Sequence, residues 1–294
     1  VDKKLRFRSL PLVYKELQFF IDAKVPQVKF VDRTFNCNHA HAMEIWSYIK
    51  EHDNGITNFH FEISADLLRE EELALIGTMR PGLIQLEIGV QSTNGATIKE
   101  IHRTMQLERL KEVVKEVQKH ENIHEHLDLI AGLPGETRAD MQDTLRRIKA
   151  LAPDSLTVHA LAIKRAAKFG QEGRTMDLHS EISGMVEDAA ECAEEMGLKP
   201  YYLYRQKNIA GNFENVGYAE VDKAGIYNIL IMEEKQTILA AGAGASTKLV
   251  LPEKIQTAGG KKTNLIRIEN VKNIMEYIHR IDEMIERKGE WLWH

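Results

Sequence analysis

Short apolar runs alternate with segments of helical periodicity along the first half of this 294-residue chain. Apolar and β-branched residues concentrate at 28–31, 59–63, 84–90, 127–130 and 156–161. The longer segments between them, such as 41–50 and 107–119, space their apolar residues as an amphipathic helix does. Repeated strand–helix units of this kind require a parallel sheet covered by its crossover helices. We therefore expect an α/β fold, an open or closed (βα) barrel with its functional residues at the carboxyl ends of the strands.

The strand–helix pattern becomes less regular after Lys168. Residues 171–178 are polar and irregular, and helical periodicity resumes at 181–196. We therefore expect two regions, a (βα) barrel over residues 1–168 and a C-terminal α/β extension over residues 169–294.

Two further helices are expected outside the repeated units. Residues 10–21 have helical apolar spacing, with Ser9 placed to cap the helix and Pro11 in its first turn. Residues 266–288 are charged and amphipathic, and they are also expected to form a helix.

The charge and cysteine content exclude several classes of function. The formal net charge is −5, so the composition gives no support for a nucleic-acid partner. No apolar stretch is long enough to cross a bilayer, and we expect no membrane association. The chain has two cysteines and no apolar leader, which favours a reducing, cytoplasmic location.

Polar side chains end or follow four of the predicted strands. They are Asp32 and Thr34 after the first strand, Glu62 at the end of the second, Glu87 and Gln91 on or after the third, and Asp128 on the fourth. Because the carboxyl ends of parallel strands meet at one edge of a sheet, these groups are expected to line one cavity. Carboxylates and amides bind ribose hydroxyls, so the pattern favours a polar, zwitterionic ligand with a ribose. The alternative at each position is that the side chain caps a neighbouring helix.

Four short motifs, taken together, resemble the S-adenosylmethionine (SAM) contacts of oxygen-independent coproporphyrinogen dehydrogenases, which are radical SAM enzymes. They are Phe61-Glu62-Ile63, Gly89-Val90-Gln91-Ser92, His102-Arg103 and the segment from Asp128 to Glu136. The resemblance implies that Glu62 and Arg103 flank the methionyl group and that Gln91 and Asp128 face the ribose. It also implies that the adenine lies near Gly132, and that the fold is a partial TIM-like radical SAM barrel.

The resemblance differs between the two halves of the chain. Residues 5–121, with 31–36 as the plainest marker, resemble cobalamin-type radical SAM enzymes. From about residue 153 onward, 155–161 and 200–208 resemble the coproporphyrinogen dehydrogenase-like subgroup often called HemZ. A chimera joined around residues 129–136 is therefore one hypothesis.

The cysteine loop of radical SAM enzymes is not found in this sequence. That loop, C-x-x-x-C-x-x-C, supplies three thiolates to a 4Fe-4S cluster, whereas this chain has only Cys37 and Cys192. We therefore expect no metal ligands and no SAM cleavage by the chain as it stands. The family's Gly-Gly-Thr or Gly-Gly-Glu, which receives the SAM amino group, is replaced by Asp32-Arg33-Thr34, and the Asp32 carboxylate is a candidate substitute.

A cluster of cations in the second half suits an acidic small-molecule substrate, for which a tetrapyrrole is the candidate. Its members are Lys164, Arg165, Arg205 and Lys207, with aromatic surface from Tyr201, Tyr202 and Tyr204. Cations of this kind would hold porphyrinogen propionates, and the alternative is a solvated basic face beside core tyrosines. The pairs His39/His41 and His124/His126 invite a metal interpretation, but spacing of two on a helix points the rings apart.

Two hypotheses follow from these observations. The first is a radical SAM enzyme-like protein whose parental reaction is the oxidative decarboxylation of coproporphyrinogen III, inactive without its cluster. The second is a non-catalytic fragment or chimeric scaffold that binds SAM, a nucleoside or a tetrapyrrole. The sequence begins at Val1, and the first barrel strand and cysteine loop of the family would lie upstream of it. A barrel that lacks this strand has an exposed sheet edge, which predicts dimerisation or low stability.

Overall fold

The computed structural model describes residues 5–103, 105–162, 179–205, 213–256 and 259–292. The chain divides into two compact units, residues 1–226 and residues 227–294. Within the described residues, no helix is both long and apolar enough to cross a membrane.

The first unit is built on one seven-stranded sheet. Its strands are β1 (Gln27–Lys29), β2 (Asn58–Ile63), β3 (Ile84–Gln91), β4 (Ile123–Ala131), β5 (Ser155–Ala160), β6 (Lys199–Tyr204) and β7 (Asn215–Ala219). The strand order is β1-β2-β3-β4-β5-β7-β6; β1 to β5 are parallel, and β7 and β6 are added antiparallel. The α/β fold and the partial barrel predicted from the sequence are thereby confirmed.

Helix α1 (Leu10–Asp22) precedes β1, and further helices lie between the strands of the sheet. They are α2 (His39–Glu51), α3 (Glu70–Gly77), α4 (Gly95–Glu100), α5 (Leu107–Gln118), α6 (Arg138–Leu151) and α7 (His179–Glu195). Ser9 and Pro11 occupy the expected N-cap and first-turn positions of α1, but the Ser9 side chain makes no capping hydrogen bond. The clearest cap is at α6, where Thr137 and Asp140 satisfy each other's backbone N–H groups.

The sheet has one apolar and one polar face, because successive residues of a strand point to opposite sides. Paired residues such as Phe61 and Leu86, or Leu127 and Leu156, are fully buried in the main core. The opposite face carries pairs such as Glu62 and Glu87. This second face, which we call the polar face, carries the candidate site.

The predicted boundary near Lys168 lies outside the described residues and stays a prediction. The strands β6 and β7, which follow that boundary, continue the sheet of the first unit. The strands β6 and β7 therefore belong to the same layer as the parallel strands.

The second unit contains a two-stranded hairpin and short helices. Its elements are α8 (Ile226–Met232), which starts on the last residue of the first unit, β8 (Ser246–Gln256), β9 (Lys262–Glu269), α9 (Ile274–His279) and α10 (Ile281–Leu292). The prediction of one helix over 266–288 was wrong. Ile266 and Ile268 lie two apart on β9 and pair with Leu249 and Thr247 of β8, so that segment follows strand periodicity.

Candidate functional site

An ion cluster lies at the β1 side of the polar face. The Lys29 ammonium lies 2.7 Å from Glu87 Oε2 and 3.2 Å from Glu62 Oε1. His60 Nε2 lies 2.7 Å from the same Glu87 oxygen. Strand register explains the grouping, since Lys29 is opposite His60 and Glu62 is opposite Glu87. The first three parallel strands thus bring one ammonium, two carboxylates and one imidazole together.

The charges of this cluster control its pKa values. Burial by itself would lower the pKa of Lys29, but the two carboxylates outweigh it and raise the pKa. Burial would raise the pKa of Glu87, but His60 and Lys29 help to bring it below its usual value. The pKa of Glu62 is raised by burial and by the charge of Glu87, in spite of Lys29. One ammonium therefore serves two carboxylates, and Glu87, the nearer one, is held ionised more firmly.

A second polar group lies on β4 and β5. The His126 ring contacts Ser155 Oγ at 2.6 Å and Thr157 Oγ1 at 2.7 Å. Asp128 Oδ1 lies 3.3 Å from His126 Nε2 and 3.7 Å from His159 Nε2. Burial would raise the pKa of Asp128, but the two imidazoles outweigh it and hold the pKa well below its usual range. Burial would lower the pKa of His159, and the Asp128 carboxylate instead raises it. This arrangement favours an Asp128 carboxylate and a cationic His159.

The end of β3 positions an amide and a guanidinium. The register with β4 shifts between Gly89 and Gln91, and Gln91 adopts a positive φ of 69°. Arg103 Nη1 donates to the Gly89 carbonyl at 3.0 Å. A Cβ at Gly89 would lie 2.5 Å from Gln91 Nε2 and 3.3 Å from Arg103 Nη1. Glycine at this position therefore makes room for both polar groups.

The remaining predicted cofactor residues lie in the loops. Gly132 follows β4 with φ of 83°, a conformation that glycine adopts at little cost. Asp32 is exposed, and Thr34 Oγ1 donates to the Arg33 carbonyl at 2.8 Å. Asp32 and Thr34 line a cavity of about 700 Å³ beside β1. That cavity includes Lys29 but not the carboxylates of β2, β3 and β4, so the candidate site extends beyond it.

The predicted substrate cations are only partly described. Lys164, Arg165 and Lys207 lie outside the described residues. Arg205 follows β6 and donates to Glu214 Oε1 at 2.7 Å. Tyr202 contributes to the polar face, where its hydroxyl lies 3.5 Å from Thr157 Oγ1.

Sequence reasoning missed several polar residues of this face. They are Lys29, His60, His126, His159 and the placement of Tyr202 beside them. The signal was present as a period of two, because His60 precedes Glu62 by two residues and His126 precedes Asp128 by two. The helical interpretation of His124 and His126 was wrong: both lie on β4, and both rings contact Ser155 Oγ.

The cysteines do not fit a three-thiolate iron–sulfur cluster. Cys37 is exposed in the 3₁₀ turn 35–37, whereas Cys192 is buried in α7 with its Sγ 3.7 Å from the Leu145 carbonyl oxygen. Among the described residues, no group of three His, Cys, Asp or Glu side chains is arranged to hold a metal ion. The polar face, in contrast, offers carboxylates, imidazoles, an amide and a guanidinium to an organic ligand.

The open (βα) sheet, with its polar site at the carboxyl ends of the strands, agrees with the superfamily that the sequence matches. The chain belongs to the radical SAM superfamily, whose sequence pattern matches residues 1–148. Membership implies SAM and a 4Fe-4S cluster as the cofactors of the family.

Three similar proteins define its place more closely. It is 38% identical over 224 residues to the oxygen-independent coproporphyrinogen-III oxidase-like protein HemZ of Bacillus subtilis, covering 75% of this chain and 43% of that protein. It is 27% identical over 187 residues to a tRNA-2-methylthio-N(6)-dimethylallyladenosine synthase of Clostridium botulinum, covering 62% of this chain and 38% of that protein. The fold matches coproporphyrinogen III oxidase HemN of Escherichia coli with a TM-score of 0.59 at 15% identity, covering 95% and 64% of the two chains. The chain spans less than half the length of the two curated relatives.

Proposed function

We propose that this chain is the SAM-binding part of a radical SAM protein and that the nucleoside lies across the carboxyl ends of β2, β3 and β4. Glu62 and Arg103 would hold the amino-acid group, and Gln91 and Asp128 would accept the ribose. Gly132 would lie near the adenine, with Asp32 and Thr34 near the ligand's amino group. The supporting observation is the convergence of these opposite charges and amides on one face of one sheet.

The reaction that we propose for the parent protein is the oxidative decarboxylation of coproporphyrinogen III without oxygen. Support comes from the HemZ relative and from the HemN fold. In the parent protein, SAM and a cluster would supply the radical chemistry when bound, and the residues of the polar face would hold the SAM. Since the cysteines do not fit such a cluster, we expect the chain alone not to perform this step.

The substrate would be a small acidic molecule, for which a tetrapyrrole is our proposal. Lys164, Arg165, Arg205 and Lys207 would bind its propionates as cations. The net charge of −5 gives no support for a nucleic-acid partner, even though one relative is named as a tRNA-modifying enzyme. Two free cysteines suit the reducing cytoplasm, which we propose as the place of action.

The second candidate is a non-catalytic module that binds SAM, a nucleoside or a tetrapyrrole. The observation that favours it is that the two cysteines lie in different environments, since Cys37 is exposed and Cys192 is buried in the core. Both candidates share the polar face as the binding site, and they differ only in whether the chain supports radical formation.

Anaerobic reconstitution with iron and sulfide, followed by iron counting and an assay for 5′-deoxyadenosine, separates the two candidates. About four irons per chain with product formed would establish the enzyme and overturn the expected inactivity. No iron and no product, with measurable binding of S-adenosylhomocysteine, would support the binding module. Asp128→Asn should weaken that binding, whereas Glu191→Gln, an exposed change on α7, should not. Equal binding by both variants would contradict the proposed site.

A further strand is also proposed to pair with β1. β1 is a three-residue strand that pairs with β2, and no other described strand pairs with it. The 700 Å³ cavity lies beside it and has apolar walls that include Leu17, Val28 and Phe30. An unpaired edge with an apolar flank is the arrangement that accepts an added strand.

A further inference from the structure

Lys29 is a nearly buried ammonium between two carboxylates of unequal exposure. Its side chain is 11% exposed, and those of Glu87 and Glu62 are 17% and 33% exposed. Of the trio formed by Lys29, Glu87 and Glu62, Glu62 therefore has the largest fraction of its side chain open to a ligand. Lys29 is held on β1, the strand next to β2, so its position relative to Glu62 is set by the sheet.

Apart from Lys29, the groups around Glu62 disfavour its negative charge. Glu87 faces it from β3 and Asp128 from β4, and both carboxylates raise the pKa of Glu62 in the same direction as burial does. Lys29 on β1 acts in the opposite direction, by its charge and by its contact with Glu62. Glu87 has the His60 imidazole beside it and Asp128 has the imidazoles of His126 and His159, whereas Lys29 contacts both Glu87 and Glu62.

We propose that Lys29 is a positioning residue that fixes the Glu62 carboxylate as the acceptor for the α-ammonium group of the bound nucleoside. This inference rests on the proposed function, since it concerns the same site. Lys29 does not touch the ligand itself. It offsets the repulsion from Glu87, so that the partly exposed Glu62 carboxylate can accept a second cation at the polar face.

The trio gives variants with opposite expected effects. Lys29→Met removes the charge that opposes repulsion, so the midpoint of Glu62 titration should move to higher pH. Lys29→Arg keeps a cation at this position and should restore the original midpoint. Glu87→Gln removes the repelling carboxylate and leaves Lys29 to Glu62, so the midpoint should move to lower pH.

The experiment is a titration of the glutamate carboxyl carbons by ¹³C NMR between about pH 4 and pH 9, with Glu62→Gln used to assign the signal. Binding of S-adenosylhomocysteine is measured by calorimetry over the same range. For Lys29→Met, affinity near neutral pH should fall about tenfold or more, which corresponds to the loss of one charge-assisted hydrogen bond. The lost affinity should return as the pH is raised, and Lys29→Arg should bind as the unchanged chain does.

An unchanged Glu62 midpoint in Lys29→Met would overturn the inference. Weaker binding that is independent of pH and equal for Met and Arg would also overturn it, because it would indicate a merely structural ion pair. If the unchanged chain binds no S-adenosylhomocysteine, the proposed function fails, and the NMR titrations still decide the role of Lys29. If Lys29→Met does not fold, Lys29→Gln, which also removes the charge but keeps a polar side chain, is titrated in its place, and an unchanged Glu62 midpoint there overturns the inference.

Discussion

The surroundings of buried carboxyl groups shift their pKa values in opposite directions at the two ends of the parallel sheet. At the carboxyl ends, Asp128 lies between two imidazoles, which hold its pKa well below its usual range. At the amino ends, Glu125 is almost fully buried, and one of its oxygens has no hydrogen-bond partner in the part of the chain that the structure describes. Burial and the charge of Asp154 raise the pKa of Glu125 to about 8. The Asp128 carboxylate is thus stabilised in its charged form, whereas Glu125 is held in its neutral form.

The neighbouring histidines follow the same division. Burial lowers the pKa of His124, near the amino ends, to about 4, so this ring is neutral near pH 7. The Asp128 carboxylate raises the pKa of His159 at the carboxyl ends. A polar zwitterionic ligand requires fixed charges, and these are found at the carboxyl ends. The amino ends also line a cavity of about 480 Å³, where Glu125 and His124 are both in their neutral forms near pH 7 and the charges of Asp154 and Lys223 are paired with each other.

The largest expected effect on stability comes from replacing Glu125, at the amino ends, by a neutral residue. The pKa of Glu125 is raised in the folded state, so this group lowers the free energy of unfolding. The loss grows as the pH rises from the ordinary pKa of a glutamate through about 8. Glu125→Gln should remove that penalty and raise the free energy of unfolding at pH 7 by up to about 3 kcal/mol. Urea unfolding at several pH values measures the difference, which should disappear near pH 4.

The matched control for this prediction is Glu121→Gln. Glu121 is exposed and lies near the same end of the sheet, so its substitution should change stability little at any pH. A Glu125→Gln variant that is less stable than the unchanged chain at pH 9 would show that Glu125 is ionised and paired when folded.

The next effect has the opposite sign and comes from the carboxyl ends. Asp128→Asn should lower the free energy of unfolding by about 2 kcal/mol at pH 7, because it removes charge-assisted contacts to His126 and His159. Since its folded pKa is lowered, Asp128 contributes stability above its unfolded pKa, and this is lost as pH falls. The difference between variant and unchanged chain, measured by urea unfolding, should therefore shrink below about pH 4.

Asp143→Asn provides the comparison for Asp128. Asp143 forms exposed ion pairs with Arg146 and Arg147 on α6, and such pairs contribute about 0.5 kcal/mol. If Asp128→Asn cost no more than Asp143→Asn, the carboxyl ends would not stabilise charge as we argue.

The difference between the two ends was only partly predictable from the sequence. The repeated strand–helix pattern specified the parallel sheet, and Glu62, Gln91 and Asp128 were predicted because polar residues at strand ends stand out. Lys29 and His60 were missed because their meaning depends on which strands are neighbours, and a linear pattern does not contain that register. Glu125 was missed for a related reason. It interrupts an apolar face, and only packing shows that no cation of the described residues forms an ion pair with it.

A smaller effect is expected where glycine makes room for the site. In Gly89→Ala the new methyl would meet the flexible ends of Gln91 and Arg103, which can move aside at little cost in stability. The melting temperature should therefore change little, while binding of S-adenosylhomocysteine should weaken several-fold because both ligand-facing groups are displaced. Gly95→Ala, which has open space around the added Cβ, should leave both quantities unchanged. Loss of stability without loss of binding would mean that Gln91 and Arg103 do not contact the ligand.

The smallest expected effect is on self-association, and it concerns the edge of the sheet, where an exposed apolar residue follows the carboxyl end of β1. Val31, two residues after β1, is 81% exposed, and β1 presents an unpaired edge among the described strands. We expect the chain to self-associate weakly through this edge, with an apparent mass that rises with concentration in light scattering. Val31→Lys should suppress this rise without changing the monomer's melting temperature, because a charged residue blocks edge pairing and Val31 contributes little to the core. A monomer at every concentration, before and after the substitution, would show that the N-terminal segment at residues 5–8, which lines the cavity beside β1, is enough to protect this edge.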